Sequence, residues 1–549
     1  MVAERDQRRP GRSALALALA TRAVPAIAAG ALAGLALPGG GLPVALAMPA
    51  LWCALAVLWG LLQSTQPRRL AGLWGALAVL VSHHWLLALH PLDWIGVPLP
   101  LSLPLCWLLL LLCAAAGGGL LVLWAWLAQA LRPRLLQWPA ALLLASVWGL
   151  VEVQLARGPL FWIGLGGSAL PADPALAGLA AWGGAGLVAT VQLLIGWGLW
   201  RAALAWRQGC RRSLGRGLPA ALPLLVVLLL AHGLGGWLLL HQPELEGPAA
   251  ATDDGRIERV LVLQPAIPTR EKFLAPSRRR LARQLQAALQ QARVSGADLL
   301  VLPEGALGLE PVLPEPATVE LLSGGFRWVN DGDGALQQRS AVLRFAPGQE
   351  RHGAALDKHR LVPLGESVPL AGLVRWSGLS AVGGLEPGAP SRLLQRPAGA
   401  VGIAICYEIA DGTALVQSVR DGAGWLLASA NLDPYPLMLQ QQFTALARLR
   451  AIEAGRWLVS VANTGPSLLI DPAGRLQQQL PAARPDWGVF VVQALQHSSG
   501  YTSVGELPLL LAVLLTFAWC RTPLSRRDGE WDLADADSVR RTAPALEER

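Results

Sequence analysis

Hydrophobic positions change their spacing twice along this chain. Up to about residue 241 they fall in long apolar runs, at residues 13–37, 42–62, 70–89, 101–131, 135–155, 175–199 and 218–240, and one more run follows at 507–519. A helix needs roughly 20 apolar residues to cross a hydrocarbon core, so the runs predict about eight spans, the last of them short. Between 242 and 506 the runs shorten. Residues 259–267, 298–303, 340–345, 400–405, 425–429, 457–462, 467–470 and 488–493 read as strands, several apolar throughout and so buried on both faces. Two segments keep helical spacing instead. Leu281, Leu285, Ala288, Leu289 and Ala292 make one face opposite Arg and Gln, and residues 437–454 read as a second helix. Strands mixed with helices indicate a layered α/β sandwich. Pro-rich residues 310–316 and the Gly-Asp stretch at 331–334 are loops, and no internal repeat is present.

The expected organisation is therefore an α-helical polytopic membrane domain over residues 1–241 with seven spans and a soluble domain over 242–506. A C-terminal span at 507–520 and a tail at 521–549, with Asp532, Asp535 and Asp537 among arginines, complete it. Arginines orient it. Arg8, Arg9 and Arg12 precede the first run, Arg68 and Arg69 follow the second, and Arg132 and Arg134 follow the fourth. Arg201, Arg207, Arg211, Arg212 and Arg216 follow the sixth, and Arg521, Arg526 and Arg527 the last. The alternate loops at 39–41 and 91–100 hold no Lys or Arg, and the loop after the fifth run holds only Arg157. Basic loops stay cytoplasmic, so both termini are expected there and the soluble domain on the other, periplasmic, side. The basic opening, the Leu-Ala run and Ala26-Ile27-Ala28 also fit a cleavable signal peptide, although Arg22 interrupts its apolar core. Cleavage would leave every later orientation unchanged.

Composition agrees with a membrane body: 53% hydrophobic, 15% charged, mean hydropathy +0.43, and 23 Trp against 3 Tyr. The net charge of +8 belongs to the loops between apolar runs, so it indicates topology rather than nucleic acid. Cys53, Cys106, Cys113 and Cys520 sit in apolar stretches and Cys210 in a basic loop. None has a spaced partner, which leaves no zinc site and no disulfide framework. No metal or cofactor is implied. Within the runs the main ionisable residues are Arg22, His83, His84, Glu152 and His232, too few to mark a conduction path. His83 and His84, beside Trp85, suit a structural or headgroup-contacting role better than metal binding.

Cys406 stands alone in the polar region, after Val401-Gly402-Ile403-Ala404-Ile405 and before Tyr407-Glu408. Upstream are the strand end Leu302-Pro303-Glu304-Gly305 and the string Asp357-Lys358-His359-Arg360-Leu361-Val362-Pro363. Singly, these residues have plain explanations: a small buried hydrophobe, a loop acid and a solvated cation. Together a thiol, a carboxylate and an amine at three strand ends supply what nucleophilic acyl transfer needs. A thiol with a free pKa near about 8.5 attacks as thiolate and needs a neighbouring base or cation. Pairing Cys406 with His359 is disfavoured, because His359 points away from Lys358 along a strand and no Asn or Asp orients it.

These residues resemble the nitrilase superfamily, whose Glu-Lys-Cys triad follows this chain order. The chain is most similar to its membrane-embedded branch, the apolipoprotein N-acyltransferases. The matching strings are Gln264-Pro265-Ala266-Ile267-Pro268, Leu302-Pro303-Glu304, Lys358-His359-Arg360-Leu361-Val362-Pro363-Leu364-Gly365-Glu366 and Ile405-Cys406-Tyr407-Glu408-Ile409. Ala447-Arg448-Leu449-Arg450-Ala451-Ile452-Glu453-Ala454-Gly455-Arg456 and Ala462-Asn463-Thr464-Gly465 complete the set.

The resemblance implies an αββα sandwich in which Glu304 is the general base, Lys358 the oxyanion-stabilising cation and Cys406 the nucleophile. It makes Glu366 and Glu408 supporting acids and gives Tyr407 and Phe273 a part in positioning substrate. It further implies a ping-pong reaction. A phospholipid is the acyl donor, Cys406 carries a thioester, and the α-amine of a diacylglyceryl-cysteine lipoprotein is the acceptor. A membrane-tethered amidase or hydrolase, with water as acceptor, is the alternative; a non-catalytic scaffold is disfavoured by the intact triad. Three positions depart from the family. Asn431-Leu432-Asp433-Pro434-Tyr435-Pro436 replaces its Asn-Asp-x-Trp-Phe-Gly, Phe273 replaces a Trp, and Gly365-Glu366-Ser367 replaces Gly-Glu-Tyr. Leu370, Leu373, Val374, Trp376, Leu379 and Leu385 form an apolar, Gly-rich stretch that reads either as a lid dipping into the bilayer or as a loop packed on the domain.

Overall fold

The computed structural model describes residues 12–93, 97–209, 217–242, 256–272, 274–330, 336–363, 366, 384–433 and 435–523. Phe273, Cys210, the loop at 331–334, the tail from 524 and, of the lid or packed loop, Leu370, Leu373, Val374, Trp376 and Leu379 lie outside the described residues.

Every predicted apolar run contains helix. In chain order the bundle comprises α1 (Arg12–Leu35), α2 (Val44–Leu61), α3 (Pro67–Ser82), α4 (Leu99–Ala130), α5 (Trp138–Arg157), the short α6 (Gly164–Ser168) and α7 (Pro174–Ala177), then α8 (Ala180–Gly209) and α9 (Gly217–Leu240). Five of these, α2, α4, α5, α8 and α9, contain stretches long and apolar enough to cross a membrane. Two runs differ from expectation. The third stops as an α-helix at Ser82 and continues as a 3-10 turn, His84–Leu89. At that point His83 turns its ring to Ser82 Oγ (2.9 Å) and to the Phe161 carbonyl (3.4 Å). The sixth is broken at Gly183 and Gly184, where Gly184 has φ +65°. A Cβ there would lie 2.4 Å from the Tyr501 ring, so glycine is what admits that ring.

Two ends of the bundle have different chemistry. Arg68 reaches Gln129 (2.7 Å), Arg132 the Gln63 carbonyl (3.1 Å) and Arg134 the Trp519 carbonyl (3.0 Å), which knits the arginine-bearing loops together. The arginine-poor loops face the α/β domain instead. Arg270 donates to the Pro91 carbonyl (2.9 Å), Arg157 to Thr413 Oγ1 (2.8 Å), and Glu453 accepts from the Ala185 N–H (2.8 Å).

The α/β domain is two six-stranded sheets. Its elements are β1 (Ile257–Gln264), α10 (Ala275–Ser295), β2 (Leu299–Leu302), β3 (Glu320–Asn330), β4 (Leu336–Phe345), β5 (Ala354–Asp357), β6 (Leu393–Leu394) and β7 (Val401–Ile405). After these come α11 (Gly412–Arg420), β8 (Trp425–Ala430), α12 (Leu437–Ala454), β9 (Leu458–Ala462), β10 (Leu468–Ile470), β11 (Leu476–Gln479), β12 (Asp486–Gln493), α13 (Gly500–Val504) and α14 (Leu507–Arg521), which rejoins the bundle. The strand orders are β12-β1-β2-β3-β4-β5 and β11-β10-β9-β8-β7-β6, with β1-β2-β3 and β7-β8-β9 parallel at the centres.

The strands are apolar throughout because their alternate residues enter different cores. Val260, Val262, Val301 and Leu322 pack with Val401, Ile403, Leu427 and Val459 between the sheets. Leu261, Leu263, Leu300 and Leu302 pack with Leu285, Ala288, Leu289 and Ala292 of α10, the face its spacing predicts. In open parallel sheets functional residues gather beyond the carboxyl ends of the strands. Glu304, Cys406, Asn431 and Asn463 all lie one or two residues past such ends, after β2, β7, β8 and β9.

Strands β3, β6 and β11 were not legible, and β5 showed only as the strand end before Lys358. β3 carries Ser323-Gly324-Gly325, which reads as a loop, yet a Cβ on Gly324 would stand 2.4 Å from Glu304 Cα. The residue that hides the strand is the one that lets Glu304 approach it.

Candidate active site

Strand β7 ends at Ile405, and Cys406 opens a 3-10 turn, Cys406–Ala410, with φ +55°. This left-handed conformation costs a non-glycine residue about 1–2 kcal/mol, so the surrounding contacts must hold it. It turns the thiol off the strand into a buried position, close enough to Glu304 and Lys358 for both charges to act on it. Burial first, and the Glu304 carboxylate second, push the thiol well above its usual range, against the pull of Lys358. The resting sulfur is therefore a thiol, and its proton has an acceptor beside it.

Glu304 is fixed by both oxygens. Oε1 accepts from Lys358 Nζ (2.7 Å) and Oε2 from the Asn431 N–H (3.1 Å). Lys358 follows β5, its side chain only 1% exposed, and donates a second bond to Glu366 Oε1 (2.8 Å). Burial opposes its charge, but Glu304 and Glu366 outweigh that and hold the ammonium well above the usual lysine range. Glu366 Oε2 accepts from the Val362 N–H (2.9 Å), and burial raises this carboxyl against the pull of Lys358.

Glu408 lies behind these groups. Its Oε1 accepts from the His359 N–H (2.8 Å) and Arg360 N–H (3.0 Å), its Oε2 from the Ile405 N–H (2.8 Å), and both oxygens from Arg392 Nη1 (3.0 Å each). One carboxylate thus ties the backbone just after Lys358 to the backbone just before Cys406. The Tyr407 hydroxyl donates to the Leu361 (2.5 Å) and Pro159 (3.3 Å) carbonyls, with Arg360 over its ring at 5.0 Å. Burial pushes this phenol up to about 12. Tyr407 therefore stitches the crevice wall to the loop after α5. Glu304, Lys358, Cys406 and Glu366 converge, Glu408 and Tyr407 brace them, and Phe273 is outside the described residues.

Several neighbours are given no role by the sequence alone. Asn463 Nδ2 donates to Asn431 Oδ1 (2.7 Å) and to the Ile267 carbonyl (2.7 Å), and Asn431 Nδ2 donates to Thr269 Oγ1 (2.7 Å). Asp433 Oδ2 accepts from the Thr269 N–H (2.7 Å). The loop at 431–433, which departs from the family, is thus pinned to the loop after β1. Tyr435 packs edge-on to Trp85 (6.0 Å), and burial with the nearby Cys406 and Glu304 raises its phenol. Lys272 Nζ donates to the Glu304 carbonyl (3.3 Å). Arg392, paired with Glu408, could have been suspected only as a basic residue in an otherwise small-residue loop.

Residues 262–493 match the carbon-nitrogen hydrolase family. An apolipoprotein N-acyltransferase of Prochlorococcus marinus (strain MIT 9313) is 50% identical over 508 residues, 90% of this chain and 95% of its own. One of Parasynechococcus marenigrum (strain WH8102) is 48% identical over 482 residues, 87% of this chain and 96% of its own. Among solved structures, Saccharomyces cerevisiae Nit3, a member of branch 10 of the nitrilase superfamily, aligns at TM-score 0.33 and 15% identity. That alignment covers 51% of this chain and 99% of Nit3.

Proposed function

The chain belongs to the apolipoprotein N-acyltransferase family, and from that premise we propose that it moves a fatty acyl chain from a membrane phospholipid to the N-terminal α-amine of a diacylglyceryl-cysteine lipoprotein. The convergence of Lys358 and Cys406 on Glu304 carries this reading. In the first half-reaction Glu304 takes the Cys406 proton and the sulfur attacks the ester carbonyl carbon. The charge that develops on the carbonyl oxygen is met by the Lys358 ammonium. The tetrahedral adduct collapses, the C–O bond breaks, and the lysophospholipid leaves with the proton from Glu304. In the second half-reaction the amine attacks the thioester, Glu304 accepts its proton, and the C–S bond breaks to return the thiol. A positioned base contributes about 10²–10⁴-fold to such steps. Glu366 holds Lys358 toward Glu304, and Glu408 sets the spacing between Lys358 and Cys406.

The same reading assigns residues 1–241 to the membrane domain, with α1, α3 and α14 completing about eight spans, and residues 242–506 to the catalytic domain. The separation of the arginine-bearing loops from the end of the bundle that meets the catalytic domain supports cytoplasmic termini and a periplasmic site. Purified protein incubated with phospholipid should acquire a hydroxylamine-labile acyl group that Cys406→Ala cannot carry. A diacylglyceryl lipopeptide should then remove that group. Release of ammonia from small amides with no retained acyl group would overturn the transferase reading in favour of a hydrolase.

A further inference from the structure

Of the 45 Lys and Arg residues in this chain only two are lysine, Lys272 and Lys358, and both converge on Glu304. Everywhere else the chain uses arginine. Lys358 is engaged by the carboxylates of Glu304 and Glu366. Lys272 is not engaged in this way. Its Nζ donates to the Glu304 backbone carbonyl at 3.3 Å, and no carboxylate among the described residues lies within ion-pair distance. An ammonium has three donors, and among the described residues this bond uses one of them.

The turn that carries Lys272 is held on both sides. Thr269 is bonded to Asp433 of the site wall (2.7 Å), and Arg270 to the Pro91 carbonyl of the bundle (2.9 Å). The ammonium lies over the Glu304-Gly305 peptide, 3.1 Å from where a Gly305 Cβ would stand. It therefore sits against the Glu304 main chain, on a turn whose Arg270 meets the membrane-domain loop at Pro91. Burial lowers its pKa to about 8, against the pull of Glu304 and Asp433. Such a cation gains from meeting an anion and loses water in doing so.

We propose that Lys272 binds the phosphodiester of the acyl donor, and so selects a glycerophospholipid over a diacylglycerol carrying the same esters. This rests on the acyltransferase reading above. In that lipid the phosphorus lies about six bonds from the sn-1 ester carbonyl carbon, roughly 7 Å when extended. That span suits one group reached by the Glu304 side chain and another reached from the Glu304 main chain. The acceptor offers an amine or ammonium at its reactive end, for which a second cation is no partner. Lysine suits the task because it meets phosphate as a compact point charge.

The test compares dipalmitoyl phosphatidylglycerol with dipalmitoylglycerol as donors in mixed micelles, using the full chain and reading acyl group on Cys406. The wild type should prefer the phospholipid by about 10- to 100-fold, mostly through KM. Lys272→Met should bring that ratio close to one, and Lys272→Arg, which keeps the charge and reports on folding, should keep part of it. An equal loss on both lipids with Lys272→Met would overturn the proposal in favour of a role in holding Glu304. A second arm needs no chemistry. Cys406→Ala protein, equilibrated with both lipids and re-purified, should retain the phospholipid preferentially, and the Lys272→Met/Cys406→Ala double variant should not. Equal retention overturns the headgroup site even if acyl transfer is observed. Preferential retention without acylation of the wild type removes the transferase reading and leaves the headgroup site standing.

Discussion

Glu408→Gln isolates what the brace behind the triad is worth. The Glu408 and Arg392 side chains are each 3% exposed, and Glu408 is the only carboxylate within ion-pair distance of that guanidinium among the described residues. Every contact to the Glu408 carboxylate is a donor: three backbone N–H groups and Arg392. A glutamine of the same shape must point its NH2 at one of them and leaves the buried guanidinium without a counter-charge. Breaking one side of a buried pair costs about 3–5 kcal/mol. For a domain of this size each kcal/mol moves the melting temperature by about 2–4 °C, so the expected fall is roughly 6–20 °C. Arg392→Met removes the orphaned charge, so the double variant should melt close to the worse single variant rather than at the sum of both shifts. Shifts are compared at one scan rate, because a detergent-solubilised membrane protein unfolds irreversibly. Strict additivity would refute the ion pair. Acylation of Cys406, measured well below the melting range, should also slow, since Glu408 links the segments on which Lys358 and Cys406 sit.

Three further outcomes follow from single contacts. Gly324→Ala puts a methyl 2.4 Å from Glu304 Cα and 2.5 Å from the Pro303 carbonyl, so it should cost about 1–3 kcal/mol and slow acylation by displacing Glu304; normal rates would refute that packing. Lys272 is about 8 in the folded chain against 10.5 unfolded, so between those values the unfolded state binds more protons and wild-type stability rises with pH. Lys272→Met lacks this dependence and should melt above the wild type at neutral pH, the gap closing between pH 8 and 10.5; a gap that widens with pH would contradict the burial. Trp85 is 9% exposed and packs on Tyr435 and Phe161 (6.0 and 6.5 Å), so Trp85→Ser should admit water and shorten the acyl-enzyme half-life without acceptor by roughly tenfold. An unchanged half-life would show that this ring does not seal the crevice.

The sequence made most of the sandwich legible wherever burial on both faces left an uninterrupted apolar run. β1, β2, β7, β8 and β9 lie within about two or three residues of their expected bounds, and α12 coincides with 437–454. What stayed hidden was specified by distant contacts. β3 contains two glycines because Glu304 and Leu343 pack against it, a demand that no local pattern expresses. The break at Gly183-Gly184 answers Tyr501, more than three hundred residues away in the chain. In the site, Glu304, Lys358 and Cys406 could be named from their strand ends, whereas the brace needed Arg392, which joins Glu408 only through the fold. The loop at 431–436 departs from the family in sequence, yet Asn431 and Asp433 hold it against Thr269. Those side-chain hydrogen bonds fix residues 431–433 against the loop after β1 in this chain.

Transfer and hydrolysis can use the same triad, so the difference must lie in what reaches the thioester. On the proposed reading an acyl group waits on Cys406 while one lipid leaves and another arrives, and water must be kept from it meanwhile. Beside these groups the sandwich meets the bundle through aromatic contacts. Tyr435 meets Trp85 of the bundle, Trp85 meets Phe161, and Phe161 stacks on Phe443 of α12 at 5.1 Å with rings 6° from parallel. Arg360 and Tyr407 continue the seam by bonding to the Gly158 and Pro159 carbonyls. Two of those aromatic rings and both carbonyls belong to membrane-domain turns, so the bundle supplies part of the wall of the site as well as an anchor. A soluble enzyme with these catalytic groups would have solvent where this chain has Trp85 and Phe161. On that proposed reading, the same contacts that fasten the domain to the membrane would favour transfer over hydrolysis by keeping water from the thioester.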